Sequence, residues 1–216
     1  DGIRTPMAKS GSVLKHLQAD DLGAIVVQEV LANSGISAQD VDEVIIGNVA
    51  QPTHAANVAR VIALKAGIPE SVPAVTVHRN CASGMESITT GAQRLLLGDA
   101  QVIVAGGVES MSNIPLLYND EMTSFFTRLM KSRSLFQRLK TILSFRLRYL
   151  KPVIALMQGL TDPVCNLIMG MTAENLSKDF KLTREMQDEF ALASHQKAAA
   201  AIEEGRLADE IVPIPA

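Results

Sequence analysis

A strand, a helix and a second strand follow one another between residues 72 and 105, with short joints between them. The run 72–77 is apolar and rich in valine, as expected of a buried strand, and 101–105 is a second such run. Between them, apolar residues recur every three or four positions, which predicts a helix. These positions are Met85, Ile88, Ala92, Leu95 and Leu96. Because short joints favour a parallel crossover, the sequence predicts a βαβ unit and an α/β fold.

The preceding segment also alternates between helix and strand signals. Asp20 or Asp21 is expected to cap a helix that stops at Gly35. The run 44–47 is typical of a buried strand, and a second helix is predicted over 56–66. The βαβ unit therefore belongs to a larger sheet with several helices.

The composition is that of an ordinary globular protein, with 216 residues, 47% of them hydrophobic, and a net charge of −3. This is enough chain for one sizeable core. Two cysteines, Cys81 and Cys165, do not suggest a disulfide framework, and no apolar run is long enough to span a membrane, so a reducing, cytosol-like or organelle-matrix compartment is expected. The chain opens on Asp1 rather than methionine, and we expect it to be incomplete.

Cys81 lies where the first strand of the βαβ unit gives way to the helix. The first-turn N–H groups of a helix are unpaired and carry partial positive charge, which favours a thiolate over a thiol. Reactive residues of open parallel sheets also collect at the carboxyl ends of strands. Cys81 is therefore a candidate nucleophile. The alternative is that it is a small buried hydrophobe, the commonest environment of a free cysteine.

Several short runs around and beyond this cysteine resemble the thiolase family, and they occur in family order along essentially the whole chain. The runs are DGIRTP (1–6), GNV (47–49), NVAR (57–60), NCASGM (80–85), GDA (98–100), VAGGVESMS (104–112), MGMTAEN (169–175) and DEIVP (209–213). The chain is similar to the N-terminal half of a thiolase. The resemblance implies a layered fold with a mixed, largely parallel sheet and a loop-domain insertion.

The same resemblance implies the roles of Cys81 and Met169, and the small size of two further residues adds Ser83 and Gly84 as candidates. Cys81 would take the acyl group as a thioester, and Met169 would line the acyl pocket. Ser83 and Gly84 are predicted to contact substrate, because small residues let an acyl thioester approach the start of the helix; their alternative role is tight packing of the helix on the sheet. Many thiolases have a histidine just before the pocket methionine, whereas this chain has Ile168.

The resemblance also implies a division of the chain. Residues 1–112 would form the first part of the thiolase N-terminal domain, 113–170 the loop domain, and 171–216 the return to the N-terminal domain. The C-terminal half of a thiolase, with its histidine base and second cysteine, is absent from this sequence. The isolated chain is therefore expected to turn over weakly or not at all.

The implied reaction is acyl transfer between a 3-ketoacyl-CoA and coenzyme A, as thiolysis in fatty acid β-oxidation or as the reverse Claisen condensation. Coenzyme A and acyl-CoA would be substrates, with no resident cofactor and no metal. A homo-oligomer is expected, with no nucleic-acid partner. The resemblance places such a protein in a bacterial cytoplasm or a mitochondrial matrix, with membrane association as a further expectation.

Residues 128–151, here called the basic segment, contain eight cations and no acidic residue. The cations are Arg128, Lys131, Arg133, Arg138, Lys140, Arg146, Arg148 and Lys151. Between them an apolar stripe follows helical spacing: Phe136, Leu139, Leu143, Leu147 and Leu150. A helix of this kind suits an anionic lipid surface, a docking partner or a phosphate group. The alternative is a solvated helix whose stripe packs on its own domain.

Within the family, the basic segment resembles that of the β-subunit of the trifunctional enzyme and its bacterial relatives in β-oxidation. That branch implies membrane attachment and a partner subunit with hydratase and dehydrogenase activities. Two alternatives stay open. One is a noncatalytic module that binds a membrane or a partner through the basic segment, and the other is a condensing enzyme of the wider thiolase superfamily.

Overall fold

The computed structural model describes residues 1–214 and divides the chain into two compact units. The first unit comprises Asp1–Asn113 together with the chain from Ala193 onward, and the second is Ile114–Leu192. The predicted loop domain ends at residue 170, whereas the second unit continues to Leu192, and within it Gln187 donates to Ser177 Oγ at 3.4 Å. The last two residues of the predicted return segment, 215 and 216, lie outside the described residues.

The first unit is built on a parallel sheet of three strands in the order β2-β1-β3. The strands are β1 (Glu43–Gly47), β2 (Ala74–Val77) and β3 (Ile103–Gly107), and Ile45 is in register with Val75 on one side and Ala105 on the other. Its helices are α1 (Ala19–Ser34), α2 (Val58–Lys65) and α3 (Ser83–Leu97). The predicted α/β fold with a parallel sheet is confirmed.

Helices cover both faces of β1. Val44 and Ile46 belong to one apolar cluster with residues of α1 and α2, such as Leu31 and Ile62. Ile45 is also fully buried and, since side chains alternate along a strand, it lies on the face where α3 packs. Burying a Val or Ile side chain contributes about 1.5–3 kcal/mol, so this central strand is a main source of the unit's stability.

The helix caps differ in part from the prediction. The cap of α1 is Gln18, whose backbone N–H donates to Asp21 at 3.1 Å, while Asp20 is buried in the first turn. Neither aspartate is the cap, because the helix already begins at Ala19 and both lie within its first turn. For α2 the cap is Asn57, whose Oδ1 accepts from Arg60 N–H at 3.1 Å, so the helix starts two residues later than predicted.

The second unit is mainly helical. A short antiparallel pair joins β4 (Leu116–Leu117) to β5 (Val153–Ile154). Between and after these strands come α4 (Asp120–Lys131), α5 (Leu135–Leu143), α6 (Ala155–Gly159) and α7 (Met169–Asp179). The last helix, α8 (Arg184–Glu203), begins in the second unit and ends in the first.

The apolar stripe of the basic segment does not lie on one continuous helix. α5 ends at Leu143, and a separate 3-10 turn covers Leu147–Leu150. Phe145 lies between α5 and this turn, and its ring is 5.4 Å from that of Phe125 and 5.7 Å from that of Tyr149. This aromatic contact directs the chain back into the unit, which helical spacing alone does not reveal.

Candidate active site

Cys81 lies in the joint between β2 and α3, at the carboxyl edge of the parallel sheet. Its thiol is free and the residue is exposed. The alternative of an inert buried hydrophobe therefore does not describe Cys81. The position is the one expected of a reactive group in an open parallel sheet.

The start of α3 is packed directly against the ends of two strands. A Cβ placed on Gly47, the last residue of β1, would come within 2.3 Å of the carbonyl oxygen of Ser83. A Cβ on Gly107, the last residue of β3, would come within 2.9 Å of Gly84 Cα. Only glycine allows so close an approach, and it fixes the position of α3 relative to the sheet.

A compact turn carries Cys81 into the helix. Backbone N–H groups of Ala82 and Ser83 donate to the carbonyls of Arg79 (3.0 Å) and Asn80 (3.1 Å). Ser83 Oγ accepts from Arg79 N–H at 2.9 Å and donates to the Asn80 carbonyl at 2.7 Å. Asn80 has a φ of 46°, in the left-handed region that asparagine tolerates better than most residues.

Charged and apolar side chains flank this turn. Arg79 pairs with Glu86 at 2.8 Å, and Asn80 N–H donates to His78 Nδ1 at 3.4 Å. Met85 and Ile88, in the first turns of α3, are 64% and 53% exposed. An apolar surface therefore begins directly after the cysteine.

Glu109 organises the loop that follows β1, a role that the sequence did not reveal. Its carboxylate accepts from the backbone N–H groups of Val49 (3.0 Å) and Ala50 (2.9 Å), and from Asn48 Nδ2 (3.2 Å). Asn48 Nδ2 also donates to the carbonyl of Val108 at 2.8 Å. The only local signal was one acidic residue in the otherwise uncharged run 104–112, because all its partners are about 60 residues away in sequence.

A buried carboxylate ties this same loop to α1. Asp20, at 1% exposure, lies 2.6 Å from Lys65 Nζ and 3.0 Å from His54 Nε2. Burial acts to raise the pKa of Asp20, but the hydrogen bonds from Lys65 and His54 outweigh it and hold that pKa below its ordinary value. Hydrogen bonds to Asp20 and Asp21 raise the pKa of Lys65.

The four predicted site residues fall in different units. Cys81, Ser83 and Gly84 are adjacent in the first unit, whereas Met169 is the half-exposed first residue of α7 in the second. Ser83 is buried and its hydroxyl is used by the turn, and Gly84 faces Gly107. Contact of substrate with Met169, Ser83 and Gly84 stays a prediction.

The basic segment presents both its cations and its apolar residues to the surface. Along α5, Leu135, Phe136, Leu139 and Leu143 are all exposed, Phe136 and Leu143 each at 77%. Of the eight cations, Arg148 forms an ion pair, with Glu121 at 2.6 Å. Nothing in the described residues buries the α5 stripe, contrary to the alternative that it packs on its own domain.

Residues 1–214 contain no candidate for two other kinds of site, a metal centre and a membrane-spanning helix. In that range no group of His, Cys, Asp and Glu side chains is arranged to hold a metal ion. No helix there is both long enough and apolar enough to cross a membrane.

The chain was compared with known families, curated proteins and solved structures. The family model for the thiolase N-terminal domain matches residues 1–216. A probable acetyl-CoA acyltransferase of Staphylococcus aureus (strain COL) is 37% identical over 98% of this chain and 49% of its own length. An acetyl-CoA acetyltransferase of Pseudomonas aeruginosa is 41% identical over the same shares.

Two solved structures are similar over 99% of the chain. The acetyl-CoA acetyltransferase of Bacillus anthracis matches with a TM-score of 0.83 and 38% identity, over 49% of its own chain. The Acat5 thiolase of Ascaris suum, solved in complex with coenzyme A, matches with a TM-score of 0.82 and 34% identity, over 50% of its own chain. This chain thus spans about half the length of the relatives it matches. With a family model that matches throughout, the chain belongs to the thiolase family.

Proposed function

We propose that Cys81 is the acyl-accepting nucleophile of an acyl-CoA acyltransferase. The observation that carries the proposal is the exposed thiol in the turn before α3, at the carboxyl edge of the parallel sheet. Family membership and the names of the relatives, acetyl-CoA acyltransferase and acetyltransferase, support the reaction class.

The proposed chemistry has two half-reactions. The Cys81 thiolate attacks the 3-keto carbon of a 3-ketoacyl-CoA, the C2–C3 bond breaks, and acetyl-CoA leaves after its C2 carbon takes a proton. The thiol of a second coenzyme A then gives up its proton and attacks the Cys81 thioester, which releases the shortened acyl-CoA and restores the thiolate. Coenzyme A and acyl-CoA are substrates here, and no resident cofactor is required. The reaction proceeds either as thiolysis in fatty acid β-oxidation or as the reverse condensation, and both directions use the same thioester.

Isotope exchange tests the acyl-enzyme directly. An enzyme that forms a Cys81 thioester transfers label between free coenzyme A and acetyl-CoA without any second acyl acceptor, which is a signature of ping-pong chemistry. Cys81→Ser should abolish the exchange, whereas Cys165→Ser, which alters the other exposed thiol, should leave it unchanged. Exchange that survives Cys81→Ser would reject the proposal.

We further propose that the protein is a homo-oligomer. The exposed apolar residues Met85 and Ile88 and the position of β2 at one edge of the sheet support this, because such surfaces favour association. Light scattering during gel filtration measures the mass directly. A monomer at micromolar concentration would contradict the proposal.

A second function, binding to an anionic membrane surface, is favoured by the basic segment. Its exposed apolar residues on α5 suit the acyl boundary of a bilayer, and each Lys or Arg near an anionic surface contributes about 1 kcal/mol. A partner subunit with hydratase and dehydrogenase activities is the alternative occupant of this surface.

Vesicle sedimentation separates these occupants. The chain should bind vesicles that contain phosphatidylserine better than vesicles of phosphatidylcholine alone. The double variant Arg138→Glu/Lys140→Glu should weaken this binding at least about tenfold, and the matched variant Lys178→Glu/Lys181→Glu, in the same unit but outside the basic segment, should weaken it much less. If both variants bind these vesicles equally, or if the parent chain does not bind them, the basic segment is not a membrane-binding surface. The partner subunit then remains as its proposed occupant.

A further inference from the structure

We propose that Ser83 is a positioning residue for Cys81, because its hydroxyl holds the turn that presents the thiol. This inference rests on the proposed function, since it assigns to Ser83 a role in the acylation of Cys81. It also differs from the substrate contact predicted from sequence, because the hydroxyl is directed to the main chain.

The two hydrogen bonds of Ser83 Oγ enclose Cys81. The hydroxyl accepts from Arg79 N–H (2.9 Å) and donates to the Asn80 carbonyl (2.7 Å), so residues 79–83 close into a ring that contains the cysteine. A hydroxyl has one proton to donate, and Ser83 gives it to Asn80. At 4% exposure, Ser83 has little surface with which to touch a substrate.

The rest of the site holds Ser83 itself in place. The Ser83 carbonyl lies against Gly47, so the ring of residues 79–83 is fixed to the end of β1. Asn80 keeps its left-handed φ of 46° inside this ring. A strained residue persists only where its surroundings determine its conformation, and the Ser83 hydroxyl supplies one such restraint on each side of Asn80.

Loss of the restraint should slow the chemistry of Cys81 more than it harms the fold. A misplacement of about 1 Å can cost about 100-fold in rate when a reacting group must be aligned. Ser87 provides a matched control, since it is fully buried one turn further along α3. Its hydroxyl lies within hydrogen-bond distance of the carbonyls of Gly84 (2.7 Å) and Gly106 (2.6 Å), shares its one proton between them, and makes no bond to residues 79–82.

The test compares Ser83→Ala with Ser87→Ala, both in a Cys165→Ser background so that Cys81 is the only thiol. Alkylation of Cys81 by iodoacetamide is followed at pH 7, and thermal unfolding is measured in parallel. Ser83→Ala should slow alkylation about tenfold, because the thiol is no longer held in one position. Ser87→Ala should lower the melting temperature about as much as Ser83→Ala does but leave the alkylation rate unchanged.

Equal alkylation rates for a folded Ser83→Ala and the parent would overturn the proposal, as would equal losses of rate in the two variants. If Ser83→Ala does not fold, hydrogen exchange at the Arg79 amide of the parent decides, because that N–H donates to Ser83 Oγ. The amide should be protected, and exchange as fast as that of an unpaired amide would overturn the proposal. Acetyl-CoA is offered to the parent in parallel. A parent that is alkylated but never acetylated would contradict the proposed function while leaving the comparison of Ser83 with Ser87 valid.

Discussion

The main chain of Ser83 lies so close to Gly47 that a single added methyl group would come within 2.3 Å of the Ser83 carbonyl oxygen. This contact joins the end of the central strand to the start of the helix that follows Cys81. The turn of residues 79–83, which carries Cys81, is therefore held against the sheet by backbone contact, with no side chain between the turn and the sheet.

The first prediction concerns this contact. Gly47→Ala should destabilise the protein by about 3 kcal/mol or more, because the methyl group meets backbone atoms that cannot rotate away. Gly106→Ala is the matched control in the neighbouring strand, where an added Cβ meets nothing within 4 Å. Urea unfolding measures both variants. Similar midpoints for the two would show that the helix start is not packed as described.

The second prediction concerns the buried carboxylate of Asp20. Asp20→Asn should cost about 2 kcal/mol at pH 7, since Lys65 loses its buried partner but is itself partly exposed to solvent. The folded-state pKa of Asp20 is lowered, so its contribution is present above the unfolded pKa of about 4 and is lost as pH falls through the folded pKa. The stability difference between parent and variant should therefore shrink below about pH 4.

Unfolding curves from pH 2 to pH 8 test this dependence. Asp21→Asn is the control, because Asp21 shares Lys65 but is far more exposed, and it should cost well under half as much. A difference between parent and Asp20→Asn that stays constant down to pH 2 would contradict the account.

The third prediction concerns Glu109. Glu109→Gln replaces one of its two accepting oxygens by an amide group, so at least one backbone N–H of the loop after β1 loses its partner. We expect a loss of about 1–2 kcal/mol and faster hydrogen exchange at Val49 and Ala50. Glu70→Gln, an exposed change, should alter neither. Unchanged exchange at both amides would show that Glu109 does not hold the loop.

The fourth prediction concerns turnover by the 216-residue chain. Among the described residues, no hydrogen bond links a histidine to Cys81. A thiolate that works without an adjacent base completes acyl transfer slowly, so we expect formation of the thioester to be much faster than steady-state thiolysis of acetoacetyl-CoA. Full thiolase turnover by this chain, abolished by Cys81→Ala, would contradict the prediction.

Local patterns predicted the elements that surround Cys81. The apolar run before it, the spacing of Met85 and Ile88 after it, and the short joints are all contained in about 35 residues, and the structure has β2, α3 and β3 there. The observed bounds of β2 and β3 differ from the predicted ones by about two residues. Pro73 precedes β2, and only residues paired with a neighbouring strand belong to a strand.

Contacts between distant residues were not predictable in this way. Glu109 finds its partners in the loop after β1, and Asp20 meets Lys65 and His54 only because α1 packs beside α2. The break after α5 likewise depends on the packing of Phe145 on Phe125. The partners of these three residues can be named only once the fold is known.

The central claim is that Cys81 accepts the acyl group, and intact-mass spectrometry after incubation with acetyl-CoA tests it most directly. The account predicts one acetyl adduct per chain, labile to added thiol, mapped to the peptide that contains Cys81 and absent from Cys81→Ser. No adduct on a chain shown to be folded, or an adduct that persists in Cys81→Ser, would contradict it.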